Sequence, residues 1–221
     1  MNQSALPSAK ITPLFAVPFA QFSLPQPKRL CADLTTLILE KEAQGDRFRN
    51  ATKRPTQGSE VFESQFDFFQ WEDAPVSAVR DFCHRSLVSL LSHLGQVTPD
   101  STVQLDYHAW FHVTRNGGFQ GLHNHQNASW SGIFCVDPGD LDPAQPRSGV
   151  VRFHDPKLGS NMYVDPANRT LPMPFNNGVY EVQHRAGTLS LFPSYLTHEI
   201  FPYRGQRERI VIAFNCWARD E

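Results

Sequence analysis

The sequence predicts a mainly β chain, a jelly roll with helices packed outside it in the N-terminal part. Three observations carry this. Two stretches before Gly95 repeat apolar residues at helical spacing. After Ser101 the chain turns into short β-rich runs separated by Gly, Pro, Asn and Asp. Phe and Pro, 17 of each, favour strands joined by turns over a helical bundle.

Taken in order, the opening "MNQSALPSAKITPLFAVPFAQF" has an apolar stretch broken by Pro13 and Pro18, with only Lys10 ahead of it. That is a poor signal peptide and no membrane span, and it reads as an edge strand, where proline is tolerated. "PKRLCADLTTLILEKEAQG" places Leu30, Leu34, Leu37 and Ile38 on one helical face and stops at Gly45. "QGDRFRNATKRPTQGSEVF" is polar and turn-rich, a loop. "EDAPVSAVRDFCHRSLVSLLSHLG" carries Val76, Val79, Phe82, Cys83, Leu87, Leu90, Leu91 and Leu94 on a broad stripe. Asp73 is the expected N-cap, Pro75 suits the first turn and Gly95 closes the helix. His84 and His93 on this helix read as surface or packing residues. The strands expected next are "TVQLDYHAWFHV", "SWSGIFCV", "GVVRFHD", "GVYEVQH", "GTLSLFP" and "RIVIAFNCW". "VDPGDLDPAQPRSG" and "DPANRTLPMPFNNG" are too proline-rich for regular structure.

A chain of 221 residues suits one domain over 1–221, with a helical flank about 28–95 and a β core about 103–217. At 40% hydrophobic and 19% charged residues it has the material for a core. The formal charge is −2 with no basic stripe, which argues against a nucleic-acid partner. Cys31, Cys83, Cys135 and Cys216 form no CxxC. Reduced thiols in a cytoplasm are the simplest reading, and Cys135 and Cys216 read as inert buried thiols. Neither a nucleophile elbow nor a P-loop is present.

The chemistry is concentrated in "GLHNHQNASWSGIFCVDP". His123 and His125 stand two apart just before a strand, and on an extended chain such side chains share a face. Alone, the pair is as compatible with surface histidines as with a metal. A jelly roll offers a cavity mouth, where non-haem iron centres take two ligands from one short motif and a histidine from far along the chain. "LSLFPSYLTHEIFP" supplies that distant residue as His198. Downstream, Arg209 shares a strand face with Val211 and Ala213, opposite Ile210, Ile212 and Phe214. A guanidinium turned into a barrel needs an anion, and a ligand carboxylate held bidentately is one. Arg207 shares that face and is the substitute. Trp110 and His112, on one face with His108, either line the pocket or pack in the core.

In this order "HNHQNASWSG", "GVVRFHDP", "LFPSYLTH" and "RIVIAFN" resemble the 2-oxoglutarate/Fe(II)-dependent oxygenases of bacteria and phages, over roughly residues 103–217 plus the "PLFAVPF" opening. The resemblance implies a double-stranded β-helix, a form of jelly roll. It implies Fe(II) on His123, His125 and His198, and 2-oxoglutarate as co-substrate with its far carboxylate on Arg209. The reaction implied is hydroxylation of an unidentified small molecule or peptide by O2, with succinate as co-product. A homodimer is compatible with it. This chain departs from the family at three places. His125 replaces the usual carboxylate of His-x-Asp, which leaves a three-imidazole centre one charge more positive. Cys135 stands where a Tyr is common in the co-substrate pocket, and Val211 where a Ser is common. Those departures keep other readings open: a three-His iron dioxygenase that needs no 2-oxoglutarate, a zinc hydrolase, or a non-enzymatic cupin-like module that binds a small molecule.

Overall fold

A computed structural model describes residues 10–220 apart from 53, 97–102, 158–164 and 167. Among these residues ten strands form two antiparallel sheets. The larger has the order β1 (Ala20–Ser23), β8 (Thr188–Pro193), β5 (Trp130–Asp137), β10 (Arg209–Asp220), β3 (Val103–Thr114), β2 (Val61–Glu63). The smaller runs β4 (Gln120–His123), β9 (His198–Ile200), β6 (Val151–His154), β7 (Val179–Val182). Sequence neighbours are mostly not sheet neighbours, as a jelly roll requires.

Period-two patterning decides which side chains meet. Along β10, Ile210, Ile212, Phe214 and Cys216 pack with the helices, whereas Val211 joins the core between the sheets. In β5, Phe134 and Val136 face the helices and Ile133 faces the other sheet. In β8, Leu189 and Leu191 face the helices and Phe192 faces the other sheet. Gly132 lets β5 and β10 close: a Cβ there would lie 2.3 Å from the Phe214 ring. Helix α1 (Pro27–Glu42) buries Cys31, Leu34 and Ile38. Helix α2 (Ala74–His93) buries Val76, Val79, Cys83, Leu87, Leu90 and Leu91. Both lie on the outer face of the larger sheet, which leaves its inner face for the site.

The sequence expectations fare unevenly at the edges. β1 is an edge strand, paired only to β8, but it is four residues long and starts at Ala20. Residues 10–19, which include both prolines, lie outside any strand. Asp73 is the N-cap of α2, yet its backbone carbonyl accepts from Val76 and Ser77 while its side chain caps nothing. Gly95 closes that helix at φ 71°. The segment expected to be only loop runs into β2, whose first two residues, Val61 and Phe62, are its last two. All four cysteines are free and buried. Among the described residues no helix is long and apolar enough to cross a membrane.

Candidate metal centre and its cavity

β4 and β9 were not legible as strands, and they build the site. Their register sets His123 directly opposite His198. The chain then leaves β4, and the His125 N–H donates to the Ser194 carbonyl at 2.8 Å, which folds the loop back over the β8–β9 turn. The ring centroids come to 4.3 Å for His123–His198, 5.2 Å for His123–His125 and 5.4 Å for His125–His198. One ligand atom from each falls within 4.8 Å of the other two.

Two backbone contacts fix the tautomers. His123 Nδ1–H donates to the Gly121 carbonyl at 2.7 Å, and His198 Nδ1–H to the Leu196 carbonyl at 3.0 Å. Each bond leaves Nε2 as the lone-pair nitrogen, the usual arrangement of a metal-binding histidine. The His125 ring is held against Trp110, with centroids 5.8 Å apart. Burial pushes all three imidazoles below the ordinary histidine range, His125 to about 3, and the neighbouring positive groups add to this. At neutral pH they are therefore neutral donors. Three neutral imidazoles on one point suit Fe(II) and also Zn(II), so the donor set fits a divalent metal.

The histidines line a cavity of ≈ 200 Å³ between the sheets, together with Ile133, Val151, Phe192, Val211 and Arg209. Arg209 is only 4% exposed, and its Nη2 has no hydrogen-bond partner among the described residues. Burial pulls its pKa down from the ordinary arginine value. Room for its stem comes from Gly149, at φ 63°: a Cβ there would sit 2.9 Å from Arg209 Cδ and 3.0 Å from Nε. Glu199, a candidate ion-pair partner, is instead held by His154 at 3.0 Å and Arg152 at 3.6 Å.

Arg207 does not substitute for Arg209. It lies outside the cavity, exposed, with its guanidinium on Asp140 and Asp137 at 3.1 Å each and on the Gly139 carbonyl. Two acidic loop residues satisfy it, so it has no need of a ligand. Cys135 is fully buried on the inward face of β5, opposite Val211, but is not part of the cavity lining. Burial raises its thiol to about 12, which keeps it neutral and inert behind the cavity wall.

Residues 108–215 match the family model described as "Putative 2OG-Fe(II) oxygenase", a stretch that includes His123, His125, His198 and Arg209. That stretch, just under half of the chain, is similar to the 2OG-Fe(II) oxygenases. Solved structures agree in fold. A prolyl-4-hydroxylase from Pseudomonas putida is 16% identical, with a TM-score of 0.60 over 92% of both chains. A prolyl hydroxylase from Trichoplax adhaerens, in complex with a peptide fragment of hypoxia inducible factor, is 13% identical with a TM-score of 0.60, covering 90% of this chain and 83% of that one. HygX from Streptomyces hygroscopicus, with nickel, 2-oxoglutarate and hygromycin B bound, is 12% identical with a TM-score of 0.51, over 91% of this chain and 83% of that one. At such identities the likeness concerns the fold alone. No curated protein matches the chain.

The cavity is also lined by a polar group that the sequence did not expose. Trp110 and His112 both line it, and His108 does not. The His112 ring lies 2.8 Å from Glu63 Oε2, while Glu63 Oε1 accepts from Asn50 at 2.7 Å and Arg54 at 2.9 Å. Burial alone would raise the Glu63 carboxyl, but the bonds and charges of His112 and Arg54 outweigh it and hold it down at about 2. Glu63 and His112 are 49 positions apart, so no local pattern links them. The Gln57 amide also lines the cavity, and its Nε2 is buried without a partner among the described residues.

Proposed function

We propose that this oxygenase uses His123, His125 and His198 to hold Fe(II) and Arg209 to anchor the far carboxylate of 2-oxoglutarate, and that it hydroxylates a small molecule or peptide entering past Glu63 and His112. The observation that carries the reading is a single cavity with a three-imidazole cluster and a buried guanidinium that lacks an anion among the described residues. Leaving such a charge unpaired is expensive, and a dicarboxylate that reaches both places relieves it. Iron, when bound, supplies the activation of O2, with 2-oxoglutarate as the two-electron reductant.

The chain's own residues do the rest. The Gly121 and Leu196 carbonyls lock His123 and His198 with Nε2 facing the metal position. Ile133, Val151, Phe192 and Val211 make the cavity wall apolar, which excludes bulk water and strengthens each polar contact inside. Glu63 keeps His112 oriented toward the space where a substrate would lie. The three imidazoles also suit an iron dioxygenase that works without 2-oxoglutarate. That second reading gives Arg209 no task. We take residues 1–221 as one domain working in the cytoplasm, as a monomer or homodimer, without nucleic acid. The test is anaerobic reconstitution with Fe(II), followed by 2-oxoglutarate and O2. Release of succinate with one equivalent of iron supports the proposal, and iron binding without succinate transfers support to the second reading.

A further inference from the structure

The loss of hydroxyl groups at Cys135 and Val211 raises the question of what else could hold a carboxylate at the Arg209 end of the cavity. A second buried polar group, His184, lies behind the wall at that end, one layer outside the residues that line the cavity. β6 and β7 pair with Val151 opposite Val182, and both side chains belong to the core between the sheets. Gly149 comes two residues before Val151 and His184 two residues after Val182, at the same end of the antiparallel pair. Burial continues to alternate through this stretch, exposed at Glu181 and Gln183 and buried at Val182 and His184. His184 lies past the end of β7, and its inward direction is set by the contact of its ring with Ser190 on the inner side of β8; it lies at the end of the sheet where Gly149 meets the Arg209 stem. The charge of Arg209 is felt at His184.

Across the interior, Ser190 Oγ lies 3.3 Å from His184 Nε2. Ser190 is on the inward side of β8, paired with Ile133 of the cavity wall. His184 Nδ1 is left buried with no partner among the described residues, the same condition as Arg209 Nη2. His184 is 2% exposed, and in native proteins such buried groups are rarely left unsatisfied. If the Ser190 hydroxyl donates to Nε2, the ring carries its proton on Nδ1. The ring then offers a neutral donor that adds no positive charge beside Arg209.

We propose that His184 is the second anchor of the co-substrate, its Nδ1–H and the Arg209 guanidinium together holding the far carboxylate of 2-oxoglutarate, with Ser190 setting the tautomer. His184 thus takes the place of the missing Tyr and Ser hydroxyls. This rests on the 2-oxoglutarate reading above.

The test is calorimetric titration of Zn(II)-loaded protein with 2-oxoglutarate and, separately, with pyruvate, which has the metal-chelating keto acid but no far carboxylate. His184→Phe should weaken 2-oxoglutarate by about five- to fifteenfold, the size of one hydrogen bond. It should leave pyruvate and zinc content unchanged. His184→Asn, whose amide nitrogen falls near the Nδ1 position, should stay within about threefold of wild type. In wild-type protein labelled at histidine, nitrogen NMR should show His184 Nδ1 shifting with 2-oxoglutarate and not with pyruvate, which decides the matter even if His184→Phe fails to fold. Equal affinity of His184→Phe and wild type for 2-oxoglutarate, or an equal loss for pyruvate, overturns the assignment. Failure of wild type to bind 2-oxoglutarate at all removes the functional reading itself, and this inference with it.

Discussion

Arg209→Met separates the co-substrate anchor from the metal centre. Methionine keeps most of the stem that packs against Gly149 and removes the guanidinium. In the wild type that group is 4% exposed and its Nη2 has no partner among the described residues, so without ligand it bears a desolvation cost that the described contacts leave largely uncompensated. The ligand-free variant should therefore be at least as stable as wild type. With ligand the order reverses. A charge-assisted contact contributes about 1.5–3 kcal/mol, so the 2-oxoglutarate constant should rise roughly 10- to 150-fold. Thermal unfolding of the Zn(II) protein reads this directly. With ligand at about a hundred times the wild-type Kd, wild type gains about 2.7 kcal/mol, while a variant about thirtyfold weaker gains about 0.9 kcal/mol. In a chain of this size that is a rise of about 5–10 °C against about 2–4 °C. Arg207→Ala is the control and should respond like wild type, because Asp137 and Asp140 already satisfy Arg207. An unchanged ligand-induced rise in Arg209→Met would refute the anchor.

Three other outcomes follow from the same geometry. His123→Ala and His198→Ala should each abolish stoichiometric metal binding, His125→Ala should lose most of it, and His125→Asp should retain it by restoring a carboxylate; metal analysis after desalting decides each. Gly149→Ala combines a left-handed backbone, which costs about 1–2 kcal/mol with a side chain, with a clash at 2.9 Å against Arg209 Cδ. It should keep its metal while binding 2-oxoglutarate more weakly, as titration would show. Burial holds the folded pKa of His184 at about 3 against an ordinary 6.5. Below pH 6.5 the unfolded chain thus takes up a proton that the folded form refuses, and stability falls as pH drops through that window. His184→Phe should remove up to roughly 1.4 kcal/mol per pH unit of that slope, measured as the difference in urea unfolding between variant and wild type.

Much of this was legible because the relevant signals are local. The helical stripes of α1 and α2, and the period-two runs of β3, β5, β8 and β10, each specify an element within a few residues. His123 and His125 stood out by spacing, which alone left surface histidines open, and Arg209 by its place in an apolar strand; the resemblance to the oxygenases tied them to one site. β2, β4 and β9 escaped because three or four residues carry no periodicity, and two of these short strands bring His123 and His198 together. Glu63 and His184 escaped for another reason: their meaning lies in partners supplied by other strands. Glu63 matters through His112, and His184 through Ser190 and Arg209. Arg207 was misplaced by one assumption, that strand alternation continues past the strand end. There the chain turns, and Asp140 accepts from the Gln206 and Arg207 backbone N–H groups at 2.6 and 3.0 Å.

The most direct measurement is titration of the Fe(II) protein with 2-oxoglutarate under argon, followed by admission of O2. The three-histidine centre with its Arg209 anchor predicts a weak visible charge-transfer band that saturates with 2-oxoglutarate, fades in Arg209→Met, and is followed in air by succinate. Absence of the band at millimolar 2-oxoglutarate, with no succinate formed, would contradict the account.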